Sequence, residues 1–230
     1  MRFVIIFLIS LQCLAQQGVE VTYAYKTNYQ KAPSNKSFYG KLALKAKQVL
    51  PTLDFVLKAN AGESSYQYNQ SMINDASNPE LFKMILGFAK ADAIYYGNQP
   101  NNIFITQKNA FGKLYKIESA FSDLSWHITN MTQEILGFKC KKAVLRYNEG
   151  DGTNQNQKRE IVAWFTPKLN LPFGPIGFRG LPGLILRLEY KWNFGFVLES
   201  TKIKRVNDQN IQKPTKGESI KIEDYRKLSR

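Results

Sequence analysis

Apolar and polar residues alternate with a period of two along most of the chain, which is typical of strands with one buried face. The first clear run shows Val19, Val21, Tyr23 and Tyr25 on one face. Similar runs follow at 53–58, 103–105, 114–117, 126–136, 184–189 and 196–203. The pattern predicts a mainly β protein built of many antiparallel strands.

The clearest pair of runs is Phe138–Tyr147 and Glu160–Thr166, separated by a polar loop that contains Gly150 and Gly152. Glycine tolerates positive φ in turns, so we predict a hairpin. Cys140 shares a strand face with apolar neighbours, which indicates a buried small side chain, with a reactive thiol as the alternative.

One helix is predicted from Asn78 to about Ala91, because Asn78 can cap it and Pro79 suits its first position. The stretch 41–48 has helical composition but precedes Pro51, so we assign no element there. Many strands with one or two short helices predict a strongly curved antiparallel sheet. We expect an open half-barrel, similar in fold to the carriers that hold acyl chains of bacterial lipoproteins.

Glycine recurs at every third residue near the C-terminal third of the chain, at Gly174, Gly177, Gly180 and Gly183, interleaved with Pro172, Pro175 and Pro182. Polyproline II has three residues per turn, so this spacing predicts an extended ribbon with one bare edge. A collagen triple helix needs many more triplets. We expect a rigid connector whose glycines serve the fold, together with the motif residues Cys140, Pro175 and Pro182.

The same region carries a family resemblance. Residues 180–185 read Gly-Leu-Pro-Gly-Leu-Ile, and 140–143, 163–167, Gly174-Pro175 and Phe178 precede them in the family's order. The chain thus resembles the GLPGLI family of secreted or periplasmic proteins from Bacteroidetes-type bacteria. The resemblance implies an exported location and a shared fold, and it brings no established activity.

The N-terminus reads as a signal peptide, with Arg2, an apolar run at 3–9 and small residues up to Ala15. We expect cleavage after Ala15 and delivery to the periplasm or the medium, with acylation of Cys13 as the alternative. The sequence then predicts one β domain over 16–205 and a polar C-terminal segment over 206–230.

The formal net charge is +14. Outside the cytoplasm, a basic protein meets anionic head groups and acidic polymers, although scattered lysines can simply keep a surface soluble. No nucleic-acid motif accompanies the lysines, and contact with a membrane is expected to be peripheral at most.

Catalytic chemistry has little support in the sequence. His127 is the only histidine, so His-Glu-x-x-His zinc sites are excluded, and any hydrolase triad would need His127. A hydrolase stays the third alternative. We predict no metal and no cofactor.

Non-enzymatic binding is the leading hypothesis, with an acyl chain or another hydrophobic ligand held in the concave sheet. Arg179 and Arg187 are expected near the mouth, where they would favour an anionic head group. The predicted wall and rim residues are Trp164, Phe165, Phe173, Phe178, Leu181, Leu184 and Leu186. The alternative is a structural protein that docks on an outer-membrane partner by its sheet edge or by the glycine ribbon.

Overall fold

The computed structural model describes residues 17–27, 35–69, 78–147, 159–191, 195–207 and 211–228. The predicted signal peptide and the loop over 148–158 lie outside these ranges.

Twelve strands form one sheet, in the order β12-β6-β5-β4-β3-β2-β1-β11-β10-β9-β8-β7. The strands are β1 Gln17–Thr27, β2 Phe55–Ala59, β3 Glu63–Tyr68, β4 Ala93–Asn98, β5 Ile103–Ala110, β6 Lys113–Ala120, β7 His127–Ile135, β8 Phe138–Tyr147, β9 Arg159–Thr166, β10 Leu184–Lys191, β11 Phe196–Asn207 and β12 Glu218–Lys221. All pairs are antiparallel except β12 with β6. The sheet is curved and its ends do not close into a barrel, which confirms the predicted fold class.

Three helices accompany the sheet: α1 Phe38–Val49, α2 Pro79–Phe88 and α3 Ile222–Leu228. The α2 helix begins as predicted, because the side chain of Asn78 accepts from the backbone N–H of Leu81. The α1 helix was not predicted. Pro51 does not interrupt it, because Pro51 lies in a separate 3₁₀ turn that follows α1. Within the described helices, none has the length and apolar character to span a bilayer.

The sheet has two chemically different faces. Its inner face carries Tyr23, Tyr25 and Phe55, which are fully buried in a core that also includes apolar residues of α1 and α2. The hydroxyl of Tyr25 donates to the carbonyl of Ala89 just after α2, at 2.7 Å. The outer face carries polar residues such as Lys58, which alternate with the buried positions of the same strands.

The C-terminal segment belongs to the same sheet. β11 continues to Asn207, two residues beyond the predicted domain boundary, and β12 then adds a strand beside β6. Tyr225 of α3 packs on Tyr115, with ring centroids 5.9 Å apart. The polar composition of this segment does not predict a strand. An edge strand forms through backbone hydrogen bonds and does not require an apolar face.

Candidate functional site

Residues 167–183 connect β9 to β10 and, together with α1 and α2, cover the inner face of the sheet; we call residues 167–183 the plug. Thr166 and Leu184 pair directly, so the plug leaves and rejoins the sheet at one point. The ring of Phe173 packs edge-on against Phe121, with centroids 5.5 Å apart. The ring of Phe178 contacts the rings of Trp126 and Tyr190, with centroids 6.0 and 5.6 Å apart. The plug therefore joins strands that lie far apart in the sheet, and the sheet curves around it.

The plug is not the extended ribbon that the glycine spacing predicted, and that prediction is wrong. Ile176, Gly177, Gly180 and Gly183 all have positive φ, which a polyproline II helix excludes. Backbone hydrogen bonds fold the segment back on itself, including one from the N–H of Gly180 to the carbonyl of Pro172 at 2.9 Å. The prolines restrict the backbone only at their own positions and at the residues just before them, so they do not impose an extended path on the whole segment.

Close packing explains why glycine occupies most of these positions. At Gly183, φ is +149°, and a Cβ would overlap the carbonyl oxygen of Thr166. A Cβ at Gly177 would overlap the ring of Phe104, and one at Gly174 would lie 2.7 Å from the Cβ of Ile185. Gly180 differs, because a Cβ there would meet open space and only its φ of +86° favours glycine.

Arg179 is buried inside the plug, with 6% of its surface exposed. Its guanidinium donates to the carbonyls of Ala120, Phe121 and Gly177 at 2.5 to 3.0 Å. The same group lies 3.7 Å from the ring centroid of Phe104. Burial lowers the pKa of Arg179 to about 10, and the charge of Asp123 partly opposes that shift. Arg179 thus holds the plug to the sheet and does not lie at the mouth of a cavity, where it was expected.

The remaining predicted wall residues lie on both faces of the sheet. Phe165, Leu181, Leu184 and Leu186 are buried in the core. Trp164 and Arg187 face outward, opposite each other on β9 and β10. The indole N–H of Trp164 donates to Glu189 at 3.1 Å, and Arg187 pairs with Glu189 and Glu199 at 2.9 and 3.0 Å. The structure does not bring these residues together around one cavity.

Little free space remains beside the plug. A gap of about 10 Å³ lies between the plug and strands β3 to β5. This volume is close to that of one water molecule. A ligand larger than a water molecule could occupy this gap only if the plug moved away.

The outer face offers more room, in a cavity of about 430 Å³. Its roof is the segment 211–216, which we call the strap. The N–H of the Gln107 side chain donates to the carbonyl of Lys216 at 2.7 Å, and Ile211 packs with Tyr96 and Ile105. The lining residues are Val56, Lys58, Ser65, Gln67, Ile94, Gln107, Ile211, Gln212, Lys213, Pro214, Thr215 and Lys216.

Sequence reasoning missed this cavity. Its floor comes from four strands and its roof from a segment about a hundred residues further along the chain. One signal was present, since Val56 and Ile94 are apolar residues at positions that alternation assigns to the polar face. An apolar residue on an otherwise polar face indicates a covering segment or a ligand.

Cys140 is a free thiol and fully buried, and this burial raises its pKa to about 11. His127 is exposed at the start of β7, opposite Val144 of β8. Across the described ranges, no group of three or more histidine, cysteine or acidic side chains has a spacing suited to a metal ion.

One family model matches a part of the chain. Residues 146–187 match a family model described as a protein of unknown function (Porph_ging). The matched stretch contains β9 and the plug. Among curated proteins, no sequence matches the chain.

Solved structures show the fold over nearly the whole chain. PNGF-II, in two crystal forms, is similar with TM-scores of 0.56 and 0.53 at 18% identity. The match covers 93% of this chain and 32% of PNGF-II in the first form, and 92% and 33% in the second. Lipoprotein LppX of Mycobacterium tuberculosis aligns over 85% of this chain and 89% of its own, at 8% identity and a TM-score of 0.30. The chain thus spans about a third of the length of PNGF-II and shares its fold there.

Proposed function

We propose that this protein is an exported, non-catalytic binding protein of the bacterial cell envelope, of the GLPGLI type. The GLPGLI motif and the N-terminal signal pattern support the exported location. The proposed ligand is a small amphiphile, with a lipid as the leading class. We place it in the outer-face cavity between β2–β5 and the strap.

One observation carries this choice of site: the gap beside the plug measures about 10 Å³, whereas the outer-face cavity has about 430 Å³. Ligand pockets commonly measure about 300 to 1,000 Å³ and combine apolar walls with a few polar groups. Val56 and Ile94 provide the apolar floor, and uncharged side chains such as Gln67 provide hydrogen-bonding groups.

Native mass spectrometry tests the proposal. Protein purified from the cells that naturally make it should carry a small molecule that denaturation releases. Ile94→Trp would fill the cavity from its floor, so this variant should lose the molecule and keep its thermal stability. Thr132→Trp, at an exposed position of β7 at the far end of the sheet from the cavity, is a matched control and should keep it. Protein that carries nothing would contradict the proposal.

A second candidate function rests on the free edge of β7. β7 is the last strand of the sheet, and Ile128, Met131 and Leu136 at this edge are 42, 55 and 46% exposed. Exposed edge strands with apolar side chains are sites of strand addition. On this account, the protein docks on an outer-membrane partner and holds no small ligand.

Cross-linking in cells distinguishes the two functions. If the protein docks through the edge of β7, both the wild-type protein and Ile94→Trp should capture one outer-membrane protein. The double variant Ile128→Lys and Met131→Lys should lose that capture, because two charges on an edge oppose strand pairing. Equal capture by this variant would contradict the edge account.

A further inference from the structure

From the chemistry of the outer-face cavity, we infer that the ligand carries an anionic group, a carboxylate or a phosphate. The inference rests on the proposed binding function and adds the chemical class of the ligand. It depends on the charges that surround the cavity.

Three lysines contribute to the cavity wall, Lys58 from β2 and Lys213 and Lys216 from the strap. None of the described lining residues is acidic. Within the described ranges, no carboxylate lies at ion-pair distance from any of the three ammonium groups. Like charges that line one cavity repel one another, so an anion bound among them would reduce that repulsion.

Nearby carboxylates are engaged elsewhere. Glu20 stands opposite Lys58 on β1, but its carboxylate pairs with Lys204 at 3.8 Å. Glu63, next to the lining on β3, accepts from the hydroxyl of Tyr96 and from the side chain of Asn98 at 2.5 and 2.8 Å. The positive charge of the cavity is therefore not neutralised by its immediate neighbours.

The floor of the cavity gives the ligand a second, uncharged part. Val56 and Ile94 lie on the outer faces of β2 and β4, and Ile211 closes one side. A bare anion would leave these apolar surfaces in contact with water. An anionic head joined to an uncharged body matches both parts of the wall.

Three probes test the inference by calorimetry at low salt, each below any micelle-forming concentration: monododecyl phosphate, uncharged dodecyl maltoside and inorganic phosphate. We expect monododecyl phosphate to bind at least tenfold more tightly than dodecyl maltoside. Inorganic phosphate that bound equally well would identify a free anion as the ligand, and weaker phosphate binding would identify an amphiphile. Both results support the anionic class.

Lysine variants then test whether the cavity is the place where the anionic group binds. Lys58→Gln and Lys213→Gln should each lower the affinity for monododecyl phosphate by about fivefold, as expected for one lysine near an anionic head. Lys45→Gln, an exposed lysine of α1, is the control and should change nothing. Equal binding of the two dodecyl probes, or equal loss in all three variants, would overturn the anionic class. Absence of binding by every probe, with an empty protein in native mass spectrometry, would instead contradict the proposed function itself.

Discussion

Single residues determine whether the plug can pack closely against the sheet, and Gly183 is the clearest case. We expect Gly183→Val to lower the free energy of unfolding by about 1–3 kcal/mol, because the new side chain would meet the carbonyl oxygen of Thr166 at an unfavourable φ. Denaturant unfolding of the purified variant measures the loss.

Gly180→Val is the matched control for this prediction. Its φ is also positive, but open space surrounds the position, so only backbone strain remains and the loss should be smaller. Equal losses in the two variants would show that the contact with Thr166 contributes nothing.

The thiol of Cys140 provides a second test at this scale. Burial raises its pKa to about 11, and the thiolate is the reactive form. We expect a thiol reagent at pH 8 to leave the folded protein unlabelled and to label Cys140 once denaturant is added. Rapid labelling of the folded protein would favour the reactive-thiol alternative.

At the scale of elements, local patterns predicted local structure. The β8–β9 strands follow from uninterrupted alternation, and α2 follows from its Asn-Pro start. For α1, helical composition and the nearby Pro51 give conflicting signals, and the structure resolves the conflict because Pro51 lies in the turn that follows the helix. Glycine at every third position is compatible with an extended ribbon and with a compact loop, and the positive φ angles of the plug show that it is a compact loop. Its contacts with β4 to β6 could not be read from the segment alone.

The strap and β12 form an element whose loss should separate stability from binding. Truncation after Asn207 removes one short edge strand, α3 and the roof of the cavity, while the main core remains in other elements. We expect a loss of about 2 kcal/mol in unfolding free energy, because only a few backbone hydrogen bonds and little apolar area disappear. Binding of monododecyl phosphate should be abolished. Calorimetry on the folded, truncated chain checks this, and retained binding would place the ligand elsewhere.

For the whole molecule, the buried tyrosines set the behaviour at high pH. Burial raises the pKa of Tyr23, Tyr25 and Tyr66 above the ordinary value near 10. The unfolded chain therefore releases these protons at lower pH than the folded protein does. Their stabilising contribution is complete below about pH 10 and declines as the pH rises further. Arg179, whose pKa is lowered to about 10, acts in the opposite direction, but it is a single group, whereas burial also raises the pKa of Tyr95.

We accordingly expect the free energy of unfolding to fall steeply above pH 10. Chemical denaturation at intervals from pH 8 to pH 11, with tyrosinate absorbance followed in parallel, measures the decline. A constant free energy across this interval would show that the three phenols ionise as easily in the folded state as in the unfolded chain.

The molecule has a closed inner face and an open outer cavity. Hydrogen–deuterium exchange with and without monododecyl phosphate tests that division most directly. We predict slower exchange in the strap and in β2 to β5 on adding the probe, with no change in the plug. Faster exchange in the plug, without protection of the strap, would contradict the account and would mean that the ligand displaces the plug and occupies the concave face.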